Sequence, residues 1–174
     1  MDDEAPISLA DATSLLRRAL LALAVGDVGA LELFTEDVIG DSPNLYVRSR
    51  TELGYQLLDR AGALSNVGFD LDHVVMDGPD TAVASWRVTG DHTGEVMFNE
   101  DIYFPPTGRK IRLAVTTNVE FRQRQIAAFR TSYDGGDLFD QIRGGPPSAD
   151  GAVTDLQQGW SQPDESQPDE SQLT

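Results

Sequence analysis

The chain contains no cysteine, which excludes disulfides, a thiolate nucleophile and zinc sites of the cysteine type. It has only 2 histidines, His73 and His92. With no convergent acids at ligand spacing they form no recognisable metal-binding set. Basic residues are scarce, 13 Lys and Arg against 29 Asp and Glu, for a formal charge of -16. That balance argues against a nucleic-acid binder, whose phosphate contacts need clustered cations, and disfavours an anionic membrane surface. Long apolar runs are also missing: the longest, residues 19 to 25, is far too short to span a bilayer. The opening "MDDEAPIS" is acidic where a signal peptide needs a basic region, so a cytoplasmic protein is expected. Neither a Gly-x-Gly-x-x-Gly after a strand nor a Gly-x-Ser-x-Gly elbow occurs, so nucleotide cofactors and serine hydrolysis drop out and no cofactor is expected.

The 174 residues, 40% hydrophobic, suffice for one domain. Two copies of SQPDE close the chain in a segment rich in Pro, Ser, Gln and acid. Such a segment buries too little apolar area to offset its ordering entropy. The reading is a folded domain over residues 1–145 and a disordered acidic tail over 146–174. From residue 148 onward the tail holds six acids and no Lys or Arg, leaving 23 acids against 13 bases in the body.

Within the domain, the three- and four-residue spacing of Leu9, Ala12, Leu16, Ala19, Leu20 and Leu23 predicts a helix from 8 to 25, capped by Ser8 and stopped by Gly26. A shorter helix is expected from 28 to 34, closed by "FTEDV", and a third from 50 to 63. From residue 67 the apolar period becomes two. Strands are expected at 69–76, 82–92, 96–104, 109–122 and 125–134, separated by Gly- and Pro-containing turns. Helices first and antiparallel strands after make an α+β fold, with the helices on one face of a strongly bent sheet that leaves a hollow.

Four pieces carry a family likeness: "LALAVGDVGALELFTEDV", "ASWRVTGDHTGEVM", "FPPTGRKIRL" and "AAFRTSYDGGDLFDQI". Together they resemble the SnoaL-like polyketide cyclases, a branch of the cone-shaped superfamily that includes nuclear transport factor 2 and ketosteroid isomerase. The most specific part is the order of Gly-x-His-Thr-Gly at 90 to 94, Pro-Pro-Thr-Gly-Arg at 105 to 109, and a last-strand Asp followed by Leu and Gln. The resemblance implies a cavity enzyme without metal or organic cofactor, in which Asp134 matches the family's general acid/base. It also implies a homodimer formed through the exposed sheet face. The expected activity is ring closure of a polyketide-type intermediate in natural product (antibiotic) biosynthesis, by acid/base help or by a pocket-enforced cycloaddition. An epoxide hydrolase or hydratase, and a binding module without turnover, are the alternatives.

The resemblance makes the strand face bearing Ile126, Ala128, Arg130, Ser132 and Asp134 the pocket face, since alternate residues share a side. Asp134 is a proton shuttle or a cap for the Gly-Gly turn after it. Arg130 stabilises a developing oxyanion, pairs with a second acid, or forms an ordinary ion pair. His92, on the face of Trp86 and Val88, is an acid/base partner, a donor to a substrate carbonyl, or a structural hydrogen bonder. His73 falls with Phe69 and Leu71 and is read as core or pocket lining. Of Glu100 and Asp101, adjacent on a strand, one faces inward as a second carboxylate unless both are solvated edge charge. Trp86, Tyr46, Tyr55 and Tyr103 are candidate walls for a bulky, flat small molecule.

Overall fold

The computed structural model describes residues 6–98 and 102–144; the expectation for 146–174 concerns residues outside this range. Helix α1 (Leu9–Val25) starts where the Ser8 hydroxyl accepts the Asp11 N–H and ends at Gly26, whose φ of 75° suits glycine. A Cβ on Gly26 would also meet the Leu57 carbonyl at 2.5 Å, so the turn lies flat on the second helix. A 3-10 helix (Val28–Leu33) leads into β1 (Phe34–Ser42) and β2 (Leu45–Val47). The "FTEDV" stretch is therefore strand and not a helix end: Phe34 and Val38 are fully buried, which sheet pairing achieves and a helical turn at that point does not. Helix α2 (Arg50–Arg60) is capped by Ser49 and buries Leu53 and Leu57.

The remaining strands are β3 (Leu64–Met76), β4 (Thr81–His92), β5 (Val96–Phe98), β6 (Ile102–Phe104), β7 (Lys110–Arg122) and β8 (Gln125–Tyr133), followed by α3 (Gly135–Arg143). Six form a curved, unclosed sheet in the order β2-β1-β8-β7-β4-β3, antiparallel except for the parallel β1–β8 pair. The expected strand at 96–104 is instead a small antiparallel pair, β5 with β6, outside the main sheet. Glu100 and Asp101 lie between these two strands, outside the described residues.

Helices α1 and α2 cover the inner face of the sheet. The core joins Leu16, Leu20 and Leu23 of α1 and Leu53 and Leu57 of α2 to Ala84, Trp86, Val115, Val119, Phe121 and Phe129 of the strands. Phe34 meets the Phe129 ring edge-on at 5.9 Å between centroids. Among the described residues no helix is long and apolar enough to cross a membrane.

Register shifts in three strand pairs decide which side chains face in. On β8, Ile126 pairs with the buried Phe121, yet Ala128 pairs with the exposed Glu120, so an extra residue sits at Ala127. A bulge of one residue reverses every side chain beyond it. Phe129, Thr131 and Tyr133 consequently point inward, and Ala128, Arg130 and Ser132 point outward. This corrects the expectation that Ile126, Ala128, Arg130 and Ser132 share a pocket face. A second bulge on β3 does the same to His73. Leu71 pairs with inward Trp86, but His73 pairs with outward Ser85, leaving the imidazole exposed and not in core or pocket.

Candidate active site

The bent sheet and its helices enclose a cavity of about 730 Å³. Its deep walls are Trp86 and Val88 of β4, Leu113 and Val115 of β7, and Phe129, Thr131 and Tyr133 of β8. Helix α1 contributes Leu23, α2 contributes Gln56, Asp59 and Arg60, and α3 closes one end with Leu138 and Ile142. The volume suits a ligand of several rings, and apolar and aromatic walls stand beside polar groups that include Arg60, His92, Thr131 and Tyr133, as expected of a small-molecule site.

Backbone contacts bring the polar groups together. The Thr93 and Gly94 N–H groups both donate to the Ala63 carbonyl at 3.1 Å, tying the end of β4 to the turn after α2. A Cβ on Gly94 would fall 2.3 Å from the Gly62 carbonyl oxygen, so only glycine allows this docking. His92 and Arg60 thereby line one cavity. The His92 N–H donates to the Arg109 carbonyl and its own carbonyl accepts the Gly108 N–H, both at 2.8 Å. Its Nδ1 lies 2.9 Å from the Thr107 hydroxyl. The Gly-x-His-Thr-Gly and Pro-Pro-Thr-Gly-Arg segments are thus two sides of one imidazole mount.

His92 bounds the cavity with no surface open to water, and its Nε2 has no hydrogen-bond partner among the described residues. Burial pushes its pKa below the ordinary 6.5, with the Gly94 backbone opposing. At neutral pH the ring is uncharged, able to take a proton or to hydrogen-bond in either tautomer. Tyr133 is held by burial at a pKa of about 12, the nearby Arg60 cation offsetting part of the rise. Its hydroxyl therefore stays protonated as a donor. Burial lowers the Arg60 pKa as well, against the Tyr133 and Asp59 contributions, yet a guanidinium stays charged at any physiological pH. The Trp86 indole donates to the Thr117 hydroxyl at 3.0 Å, and Thr117 shares a 3.0 Å hydrogen bond with Thr131, fixing the polar floor.

Asp134 is the N-cap of α3, its Oδ1 accepting the Asp137 N–H at 2.9 Å. It is half-buried, stands between the lining residues Tyr133 and Leu138, and is not itself among the cavity-lining side chains. Helix α3 is fixed further by Gln141, whose amide accepts the Arg112 N–H at 2.7 Å and donates to the Arg112 carbonyl at 2.8 Å. Beyond the Val115–Tyr133 pairing β8 has ended, and Gln141 takes over that edge of β7. This accounts for the Asp, Leu and Gln of the third motif: cap, cavity wall and edge clamp.

Of the other expected site residues, Trp86 is buried in the wall, while Tyr46, 58% exposed, and Tyr103, 51% exposed, stand at the mouth. Tyr103 is hydrogen-bonded to Glu95, which raises its pKa. Arg130 lies on the outer face with its side chain 73% exposed and its Nε 3.2 Å from Asp41, an ordinary surface ion pair. Ser132 shares that face, and Tyr55 is exposed on α2. The Asp-Arg-acid set that a water-activating enzyme would draw from Arg130 and Asp134 is not assembled in the cavity. Arg60, Tyr133, Thr131 and Gln56 were missed by the sequence reading. Arg60 sits in the last turn of α2, where an arginine ordinarily complements the helix dipole, and Tyr133 was hidden by the bulge. Among the described residues no cluster of three or more His, Asp or Glu could hold a metal ion.

A family model described as SnoaL-like polyketide cyclase matches residues 16–142. Among solved structures, TsrD from Streptomyces laurentii is 20% identical, with 78% of this chain and 97% of that one covered and a TM-score of 0.65. A putative SnoaL-like polyketide cyclase from Jannaschia sp. CCS1 is 17% identical, with 84% and 100% covered and a TM-score of 0.65. A hypothetical protein with a ketosteroid isomerase-like fold from Catenulispora acidiphila, solved with trimethylamine, is 13% identical, with 80% and 97% covered and a TM-score of 0.59. No curated protein matches the chain.

Proposed function

The chain belongs to the SnoaL-like polyketide cyclase family, and from that premise we propose that it closes a ring in a polyketide-type intermediate without a cofactor. The observation that carries this reading is the cavity itself: apolar and aromatic walls with a neutral imidazole mounted among them, one nitrogen of which has no partner among the described residues. A buried nitrogen without a partner costs about 1–3 kcal/mol, which a substrate hydrogen bond recovers.

In this reading His92 takes a proton from the carbon between two substrate carbonyls. The enolate carbon attacks a second carbonyl carbon, a C–C bond forms, and the new alkoxide oxygen recovers the proton from the imidazolium. Atoms balance within one substrate molecule, so the reaction is an isomerisation. Tyr133 donates to the developing oxyanion. The His92 ring has no open surface in the free chain, so it meets the substrate as the wall adjusts; catalytic hydrogen bonds commonly tighten only in the complex. The walls supply the larger share by holding the chain folded, worth up to roughly 7–11 kcal/mol where the reacting atoms are well aligned. Asp134, which the resemblance implies as acid/base, keeps Oδ1 on α3 and stands at the edge of the site.

The test is incubation of purified protein with linear and partly cyclised aromatic polyketide esters, followed by chromatography and mass measurement. Product of unchanged mass made in ordinary water, with one hydrogen of the attacking carbon replaced by a new C–C bond and a carbonyl converted to a hydroxyl, supports ring closure. Product heavier by one water, with oxygen-18 from solvent, indicates a hydratase. Undiminished turnover in His92→Gln removes the proton-transfer role and leaves confinement as the catalyst. No turnover of any ester contradicts the proposal.

A further inference from the structure

Six arginines, Arg18, Arg50, Arg87, Arg122, Arg124 and Arg130, hold a carboxylate at the surface. Arg60 lines the cavity, is partly buried, and among the described residues has no carboxylate within ion-pair distance. Among the described residues its buried Nε has no hydrogen-bond partner, and its Nη2 donates to the Asn44 carbonyl alone, at 3.4 Å. These two nitrogens form one edge of the guanidinium, and that edge offers parallel N–H donors spaced for two coplanar oxygens. Leaving a cation so poorly satisfied at depth is expensive unless something completes it.

Taking the cavity as the substrate site proposed above, we infer that Arg60 selects substrates carrying a planar anion: two coplanar oxygens that share one negative charge. A carboxylate and an ionised 1,3-dicarbonyl both have that chemistry. The anion docks side-on against Nε and Nη2, and the Tyr133 hydroxyl, which shares the wall and carries its proton, is placed to add a third donor. The hydrocarbon remainder lies along Trp86, Leu113, Val115 and Phe129. Within the ring closure, this sets which end of the substrate is held still and leaves the other to fold back. Asp59 and Glu95 are also among the lining residues; Asp59 acts on Arg60 electrostatically, and neither carboxylate is within ion-pair distance of it.

Isothermal titration of the full chain with matched probes tests this. The pairs are 2-naphthoate against 2-naphthamide, and the enolate of 2-acetyl-1,3-indandione against 2,2-dimethyl-1,3-indandione, which cannot ionise. The wild-type protein should prefer an anion over its neutral partner by about tenfold to a hundredfold, the range of one charge-assisted hydrogen-bond pair. Arg60→Met should abolish the preference with amide affinity retained, and Arg60→Lys, which keeps the charge and loses the fork, should restore part of it. A preference in the first pair alone assigns the carboxylate, and in the second alone the enolate. Equal affinities within both pairs for the wild type, binding of no probe, or a preference that survives in Arg60→Met overturns the inference. The wild-type comparison needs no variant, so it holds even if Arg60→Met folds poorly. If anions bind selectively and no ester turns over, the cyclase reading fails and the anion site stands; turnover without anion preference has the opposite meaning.

Discussion

The two faces of the same sheet handle polar side chains in opposite ways. Outside, Arg87 contacts Asp72 at 2.6 Å, Arg130 contacts Asp41, and Arg122 pairs with Asp37, all in reach of water. Inside, His92 of β4 and Arg60 of the facing helix α2 each leave a buried nitrogen without a partner among the described residues. Exposed pairs are screened and satisfied, so they tell little about function. Buried groups left incomplete raise the free energy of the empty fold, and the site that holds them is the place to look for a ligand. That contrast moves attention from Arg130, prominent in sequence, to Arg60, which is not.

The contrast can be broken most forcefully at His92. His92→Gln should lower turnover by roughly 10²–10⁴-fold, the usual range for losing a proton-transfer group, with the far-UV spectrum retained. In stability, Trp86→Ala on the inner face should cost about 3–5 kcal/mol in urea unfolding, because the indole is buried and anchors Thr117. The matched outer-face change, Arg130→Ala, should leave both the unfolding midpoint and turnover unchanged within error.

A smaller effect reads the burial of His92 through pH. Burial lowers the His92 pKa from 6.5, so below about pH 6.5 the unfolded chain takes up the proton more readily than the folded one. Stability from this group is complete above that pH and falls as the pH drops, by up to about 1.4 kcal/mol per unit. Urea titrations at several pH values should show the slope reduced in His92→Gln relative to the wild type.

The smallest effect sharpens the assignment at the end of β8. Asp134→Ala should cost about 1 kcal/mol through the lost cap, and Asp134→Asn, which still caps, only a fraction of it. Asp134→Asn should retain turnover to better than the roughly hundredfold loss that removing a proton-transfer group brings. A larger loss would return the acid/base role to this carboxylate.

What could be read in advance follows from how far each signal extends. The helices around Leu16 and Leu57 and the strands around Trp86 and Val115 were legible because period and polarity agree over whole elements. His92 and Trp86 were legible because no bulge interrupts β4 against β7, where the register runs unbroken from Thr81 to Asp91. The faces of β8 and the far part of β3 were not. One inserted residue at Ala127 or near Asp72 leaves the composition unchanged and inverts every side chain after it. Arg60 was invisible for a different reason: an arginine closing a helix looks the same whether it meets water or a cavity, and only the docking of Gly94 on the Gly62 backbone decides which.

The central claim, that the inner-face groups are held for a ligand and the outer-face ones are not, has a built-in control in the chain's two histidines. In a ¹H–¹⁵N correlation of the imidazoles recorded while 2-naphthoate is added, the His92 ring signals should shift to saturation and those of His73 should stay in place. Movement of His73 alone, or of neither ring at saturating probe, contradicts the account.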